Sequence, residues 1–187
     1  MENELIELLV DKEIYIKQIT EDKIINITGE SGSGKSFYVQ KHYSNNEYIV
    51  VDTDEVFSRF QTSTGINREL GEMFRKKYDT LPDICEDFDV IYSEILDYFK
   101  NSDKTIVIDS AQFRNLKNLK ILKGKIIILR TSIDTCYQRC LDRFKTKYPN
   151  ATAEEFEKYA IKKKQIYNWY KKLNEFILLV DKLKNLK

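Results

Sequence analysis

Residues 24-IINITGESGSGKSFYVQ-40 place three glycines and two serines directly ahead of a Lys-Ser pair. Residues this small let backbone N–H groups converge on one point and surround an anion, because no bulky side chain stands in the way. The spacing is G-x-x-x-x-G-K-S, preceded by a β-prone run and followed by a helical one, which is the setting in which the pattern holds a polyphosphate. The expected nucleotide-binding segment is Gly29, Glu30, Ser31, Gly32, Ser33, Gly34, Lys35, Ser36 and Phe37. Lys35 would reach the β- and γ-phosphates, Ser36 would take a place on Mg²⁺, and the helix beginning near Gly34 would direct its positive end at the same anion. The plainer alternative, a glycine–serine turn, requires neither the Lys-Ser pair nor the fixed interval.

Three acids end apolar runs. Asp52 and Asp54 close 47-EYIVVDTD-54 as D-x-D, and Asp109 closes 104-KTIVIDS-110. A strand-terminal aspartate often only caps the next helix. Beside a phosphate loop, Asp109 reads as the second metal-holding position. The D-x-D pair, two residues apart on a strand, would share a face. One member can then face the metal while Asp54 orients an acceptor hydroxyl and takes its proton. Arg139 and Arg143 are spaced i, i+4 on a predicted helix and share a flank, ahead of the polar stretch 145-KTKYPNAT-152, which could serve as a lid. Planar arginine donors suit charge developing on a migrating phosphoryl group. The plain reading of the two is a pair of surface arginines near Asp134 or Asp142.

These residues need elements to hold them. Buried strands are expected at 24–28, 47–54, 104–110, 125–131 and 176–180, with helices at 34–44, 84–99, 133–145 and 152–174. Short apolar strands separated by helical patterns imply an α/β fold: a three-layer, five-stranded parallel sheet flanked by helices, with ligands at the carboxyl ends of the strands. Residues 1–20 are set apart as an N-terminal appendage, in which 14-IYIKQI-19 alternates like a strand, and 21–187 form one domain.

The 187 residues are 42% apolar and carry 31 Lys+Arg against 30 Asp+Glu, a net charge of +1. That balance gives no electrostatic case for nucleic acid or a membrane surface. No run approaches the ~18 apolar residues of a membrane span, and the acidic start lacks a signal-peptide layout. Cys85, Cys136 and Cys140 are an odd count that reads as core thiols in a reducing compartment, the cytoplasm. The aromatic-rich 166-IYNWYKKLNEF-176 could be core, a homodimer face or both.

The order of these motifs resembles the P-loop small-molecule and nucleotide kinases over residues 24–181. Within that group 50-VVDTDEVF-57 looks most like shikimate kinases, as do Thr64-Gly65 and 71-GEMFR-75 more weakly. The resemblance implies a P-loop NTPase fold and an ATP- and Mg²⁺-dependent phosphotransferase acting on a small acceptor. It implies that Asp52 helps hold the metal, that Asp54 activates the acceptor and that Arg75 binds an acidic group on it. By analogy with adenylate-kinase-like lids, Arg139 would lie against adenine or the phosphates, and residues 180–182 would lie near the base. Where shikimate kinases carry a glycine triplet, this chain has 110-SAQFR-114, so Ser110, Gln112 and Arg114 would read a different acceptor, such as a nucleoside, nucleotide or sugar. The absence of N-K-x-D argues against GTPase switching. The alternatives are a regulatory nucleotide-binding module and a polynucleotide or toxin-type kinase; the latter would want a basic groove.

Overall fold

The computed structural model describes residues 14–59 and 62–183. Its strands are β1 (Ile14–Gln18), β2 (Ile24–Gly29), β3 (Tyr48–Asp52), β4 (Thr105–Asp109) and β5 (Lys125–Leu129). Its helices are α1 (Lys35–His42), α2 (Thr53–Val56), α3 (Gly65–Lys77), α4 (Phe88–Tyr98), α5 (Ile133–Lys147) and α6 (Ala153–Asp181), with a 3-10 turn at Ala111–Asn115. Residues 1–13 of the N-terminal segment lie outside the described residues.

The strand order is β1-β5-β2-β4-β3. β2, β3, β4 and β5 run parallel, but β1 pairs antiparallel with β5, with Ile14 opposite Leu129 and Gln18 opposite Lys125. The five-stranded parallel sheet expected from the sequence is therefore incorrect. The sheet is mixed, and 176-FILLV-180 takes no part in it because these residues continue α6. An apolar run of five reads as strand when taken alone. With no glycine or proline between Ala153 and Asp181, however, nothing stops the helix. Leu173, Phe176, Ile177 and Val180 are buried at helical intervals while Leu179 stays 50% exposed. The helix end is tied to β1. Tyr15 donates its hydroxyl to Asp181 (2.9 Å), and Lys17 Nζ donates to the carbonyls of Val180 (3.0 Å), Asp181 (2.9 Å) and Leu183 (2.7 Å). A lysine there satisfies acceptors that the helix itself leaves open.

Period-2 alternation divides the core. Val51, Ile106, Ile108, Ile126 and Ile128 meet α3, α4 and the end of α6 on one face. Ile25, Ile27, Val107, Ile127 and Leu129 meet Val39 of α1 on the other. Phe113 in the 3-10 turn is fully buried, with its ring 5.1 Å from Phe88 and 5.6 Å from Tyr92, both edge-on. α5 and α6 form a helical hairpin around Cys136, Cys140 and Ile166. The stretch expected as a lid is mostly helical or turn: α5 runs to Lys147, and Thr152 opens α6 with a reciprocal cap to Glu155. Among the described residues no helix is long and apolar enough to cross a membrane.

The helical path of α6 sets an expectation that a strand would not share. Ile177→Ala should cost about 2–5 kcal/mol in urea unfolding, whereas Leu179→Gln should change stability by no more than about 0.5 kcal/mol. Equal, large losses at both positions would point to a segment buried on both faces.

Candidate functional site

The loop after β2 is shaped by its glycines. Gly32 and Gly34 have φ of 83° and 95°, a region that residues with a Cβ rarely enter. A Cβ on Gly32 would lie 2.6 Å from the Cys136 carbonyl, so the first turn of α5 backs directly onto the loop. Thr131 donates its hydroxyl to the Ser33 carbonyl (2.9 Å) and Arg139 donates to the Gly32 carbonyl (3.0 Å), fixing the loop from the β5 side. Lys35 Nζ donates to the carbonyls of Gly29 (2.9 Å) and Glu30 (3.2 Å). The expected nucleotide-binding segment thus forms a concave turn that ends at the N-terminus of α1.

A cleft of about 510 Å³ opens over this turn. Its lining brings together Ser31, Gly32, Gly34, Lys35, Ser36 and Phe37 with Asp52, Asp54, Asp109, Ser110, Arg139 and Arg143. Sheet register explains the acids: Asp52 stands opposite Asp109 on neighbouring parallel strands. Asp109 is only 6% exposed, and burial, followed by the Asp52 and Asp54 charges, raises its pKa to about 7 against the opposing pull of Lys35. Asp54 is open to the cleft, yet desolvation first and Asp52 second raise its pKa as well. Glu30, 1% exposed, is raised by burial while Arg114 and Lys35 act to lower it.

The D-x-D pair is not a strand pair. Asp52 ends β3, but Asp54 already belongs to α2, and Asp52 accepts from the backbone N–H of Asp54 (2.9 Å) and Glu55 (3.3 Å) as the cap of that short helix. Both carboxylates still border the cleft, one as a cap and one from the first helical turn. Ser110 also borders it, accepting from Thr53 Oγ1 (2.7 Å) and from the Gln112 N–H (3.1 Å). Gln112 lies instead in an adjoining cavity of about 280 Å³, with Arg114, Asn115, Trp169 and the shared wall Ser31, Asp54 and Ala111. Arg75 is brought to neither cavity; it donates to the Ser58 carbonyl at 3.2 Å and packs over Gly71. Residues 180–182 border neither cavity, because α6 carries Val180 and Asp181 to Lys17 and Tyr15.

Two features escape a reading by motif. Glu30 and Arg114 form an ion pair at 3.3 Å with side chains 1% and 5% exposed, and Arg114 also stands 5.3 Å from the Trp169 ring centre. The polar alternation Asn26, Thr28, Glu30 along one side of an otherwise apolar strand is the trace that pair leaves in the sequence. Arg130 follows β5 and is 4% exposed, with no comparable trace.

Two carboxylates and a serine hydroxyl beside the glycine-shaped turn are hard oxygen donors of the kind that suit Mg²⁺. Among the described residues no group of three or more His, Cys, Asp or Glu is placed to cage a metal alone. A Mg²⁺ that shares its coordination between one or two carboxylates and phosphate oxygens needs no such cage. No protein-family model matches the chain, and no curated protein matches it significantly.

The raised Asp109 carboxyl has a consequence for stability. Its folded pKa of about 7 lies above the ordinary 3.8, so the folded state holds the proton more tightly and loses stability as pH rises from about 4 to 7. Asp109→Asn should abolish that loss. The variant should match the parent near pH 4 and exceed it by up to about 4 kcal/mol at pH 8 in urea unfolding. A constant difference across this range would contradict the assigned burial cost.

Proposed function

We propose that the protein is a phosphotransferase that moves the γ-phosphoryl group of a nucleoside triphosphate, ATP in the simplest case, to a small hydroxyl-bearing acceptor. The observation that carries this reading is the convergence, in one cleft, of the glycine-shaped loop and its Lys35-Ser36 end with Asp52, Asp54 and Asp109. A site that only bound a nucleotide and its metal could use Asp52 and Asp109 but would have no use for a third carboxylate, Asp54, on the same cleft.

The roles follow from the environment of each group. Lys35 now donates to two peptide carbonyls, which are weaker partners for an ammonium than phosphate oxygens, so a polyphosphate draws it off them. Ser36 with Asp52 and Asp109 would hold Mg²⁺, which supplies charge neutralisation on the phosphoryl oxygens. Asp54 borders both the phosphate cleft and the smaller cavity, so it is the carboxylate placed to orient an acceptor hydroxyl and take its proton. Its raised proton affinity strengthens it as a base. Arg139 and Arg143 are exposed at the cleft mouth and contribute positive charge without a carboxylate partner among the described residues. The acceptor side, about 280 Å³ with Gln112 in its lining and Ser110 on the adjoining cleft, is sized for a metabolite or nucleoside rather than for a protein segment. Arg75, bound to the Ser58 carbonyl, is left out of the acceptor site.

ADP release from Mg-ATP, screened against nucleosides, nucleoside monophosphates, hydroxylated acids and sugars, tests the reading. One class should stimulate release. With that acceptor, Asp54→Asn should leave nucleotide affinity within about threefold and lower kcat by roughly 10²–10⁴. Lys35→Ala should abolish transfer and weaken nucleotide binding. Unchanged kcat in Asp54→Asn would remove the proton-acceptor role.

A further inference from the structure

A third cavity, about 700 Å³, lies on the β5 side of the phosphate loop and shares Gly34, Phe37 and Arg139 with the cleft. A nucleotide with its phosphates on the loop needs room beside it for base and ribose, and this cavity adjoins the loop and is large enough for both. Its side chains are poor readers of a base edge. Carboxylates and side-chain amides, which meet an edge from a fixed direction, are absent from the described lining. Arg130 is 4% exposed and takes no part: Nη2 donates to the Tyr170 hydroxyl (3.0 Å), and Nε and Nη1 are closed off from solvent. The Thr131 hydroxyl donates to the Ser33 carbonyl (2.9 Å), and the Ser132 hydroxyl donates to that of Thr135 (2.8 Å). Hydroxyls accept as well as donate, so they tolerate either kind of edge atom. Arg139 belongs to the phosphate end, where Nη1 donates to the Gly32 carbonyl (3.0 Å) and lies 3.7 Å from the point that a Cβ on Gly34 would occupy.

Phe37 offers the other way to hold a base. At 71% exposed it is the most open large apolar side chain among the described residues. It lies in the first turn of α1, two residues past Lys35, and borders both the cleft and the cavity. The ring therefore stands where the phosphate site passes into the space left for the nucleoside. An apolar ring held in water at that point gains by being covered, and the flat face of a base covers it. Every base has such a face, so stacking gives affinity without choosing among bases. Building on the phosphotransferase reading, we propose that the Phe37 ring is the platform on which the base of the donor nucleotide stacks, and that the protein accepts nucleoside triphosphates with little regard to the base.

Titration calorimetry with the Mg²⁺ complexes of ADP, GDP, CDP, UDP and pyrophosphate tests this. In the parent protein ADP and GDP should bind within about threefold of each other, with CDP and UDP weaker by no more than about tenfold because their rings cover less of the phenyl face. All four should bind more tightly than pyrophosphate. Phe37→Ala should weaken the four nucleotides by roughly 5- to 100-fold and leave pyrophosphate within about twofold. Phe37→Trp, with a larger stacking face, should hold or improve the nucleotide affinities. The side chain is exposed, so neither substitution disturbs the core. A preference of more than about tenfold between ADP and GDP in the parent is edge reading, and overturns the inference while leaving the phosphotransferase reading standing. Unchanged nucleotide affinity in Phe37→Ala also overturns it, as does an equal loss for nucleotides and pyrophosphate. Failure of all five ligands to bind the parent removes the nucleotide loop, and both readings with it.

Discussion

The register of three parallel strands is the constraint on which the site depends. β2, β4 and β3 are aligned so that Asp109 lies opposite Ile27 on one side and Asp52 on the other, while the loop leaves β2 two residues later at Gly29. Register in a sheet buried on both faces is strongly held, because a slip of one residue would exchange Ile106 and Ile108 with Val107 between two different cores. Like charges are thus pressed together by apolar packing elsewhere. The packing of Phe113 against Phe88 and Tyr92 extends the same control past the strand end, holding the turn that carries Ser110 and Gln112.

That enforced proximity sets the electrostatics. Burial first and the neighbouring aspartates second raise the proton affinity of Asp54 and Asp109, and Lys35 opposes both while donating to two loop carbonyls, joined at Asp54 by Arg114. The carboxylates of β3, α2 and β4 therefore leave the cleft floor short of positive charge, while Arg139 and Arg143, with Asp142 between them, leave the α5 wall with one net positive charge. On the proposed reading, a ligand bearing phosphates together with a divalent cation would meet both imbalances at once, which neither a bare anion nor a bare cation would do.

The parts of this arrangement that depend on local chemistry were legible in the sequence. G-x-x-x-x-G-K-S needs its conformations whatever surrounds it, and apolar runs ending in aspartate mark strands whose ends face the cleft. The parts that failed depend on distant competition. Whether 176-FILLV-180 becomes strand or helix is decided by the sheet edge, and 14-IYIKQ-18 already fills that edge in antiparallel register. Asp52 and Asp54 could be read as a strand pair because nothing local says that β3 ends between them. Arg75 closes 71-GEMFR-75, one residue shorter than the pattern it resembles, and its side chain is captured by the Ser58 carbonyl above Gly71. Glu30 and Arg114, 84 residues apart, meet only once the sheet is built.

The two buried arginines show how the fold divides the labour of one loop. Arg114 is matched by Glu30, so it acts as an internal strut between the phosphate loop and the turn after β4, with Trp169 of α6 beside it. Breaking such a pair would leave an uncompensated buried charge, and that cost keeps the two segments lining the smaller cavity together. Arg130, on the opposite side of the loop, has a tyrosine hydroxyl and ring but no carboxylate partner among the described residues. One buried guanidinium therefore has its charge met by a carboxylate of the loop and the other only by a phenol, although each keeps a buried nitrogen without a partner. The cost of burying charge is thus offset mainly at Arg114, where the pair ties together two segments far apart in sequence.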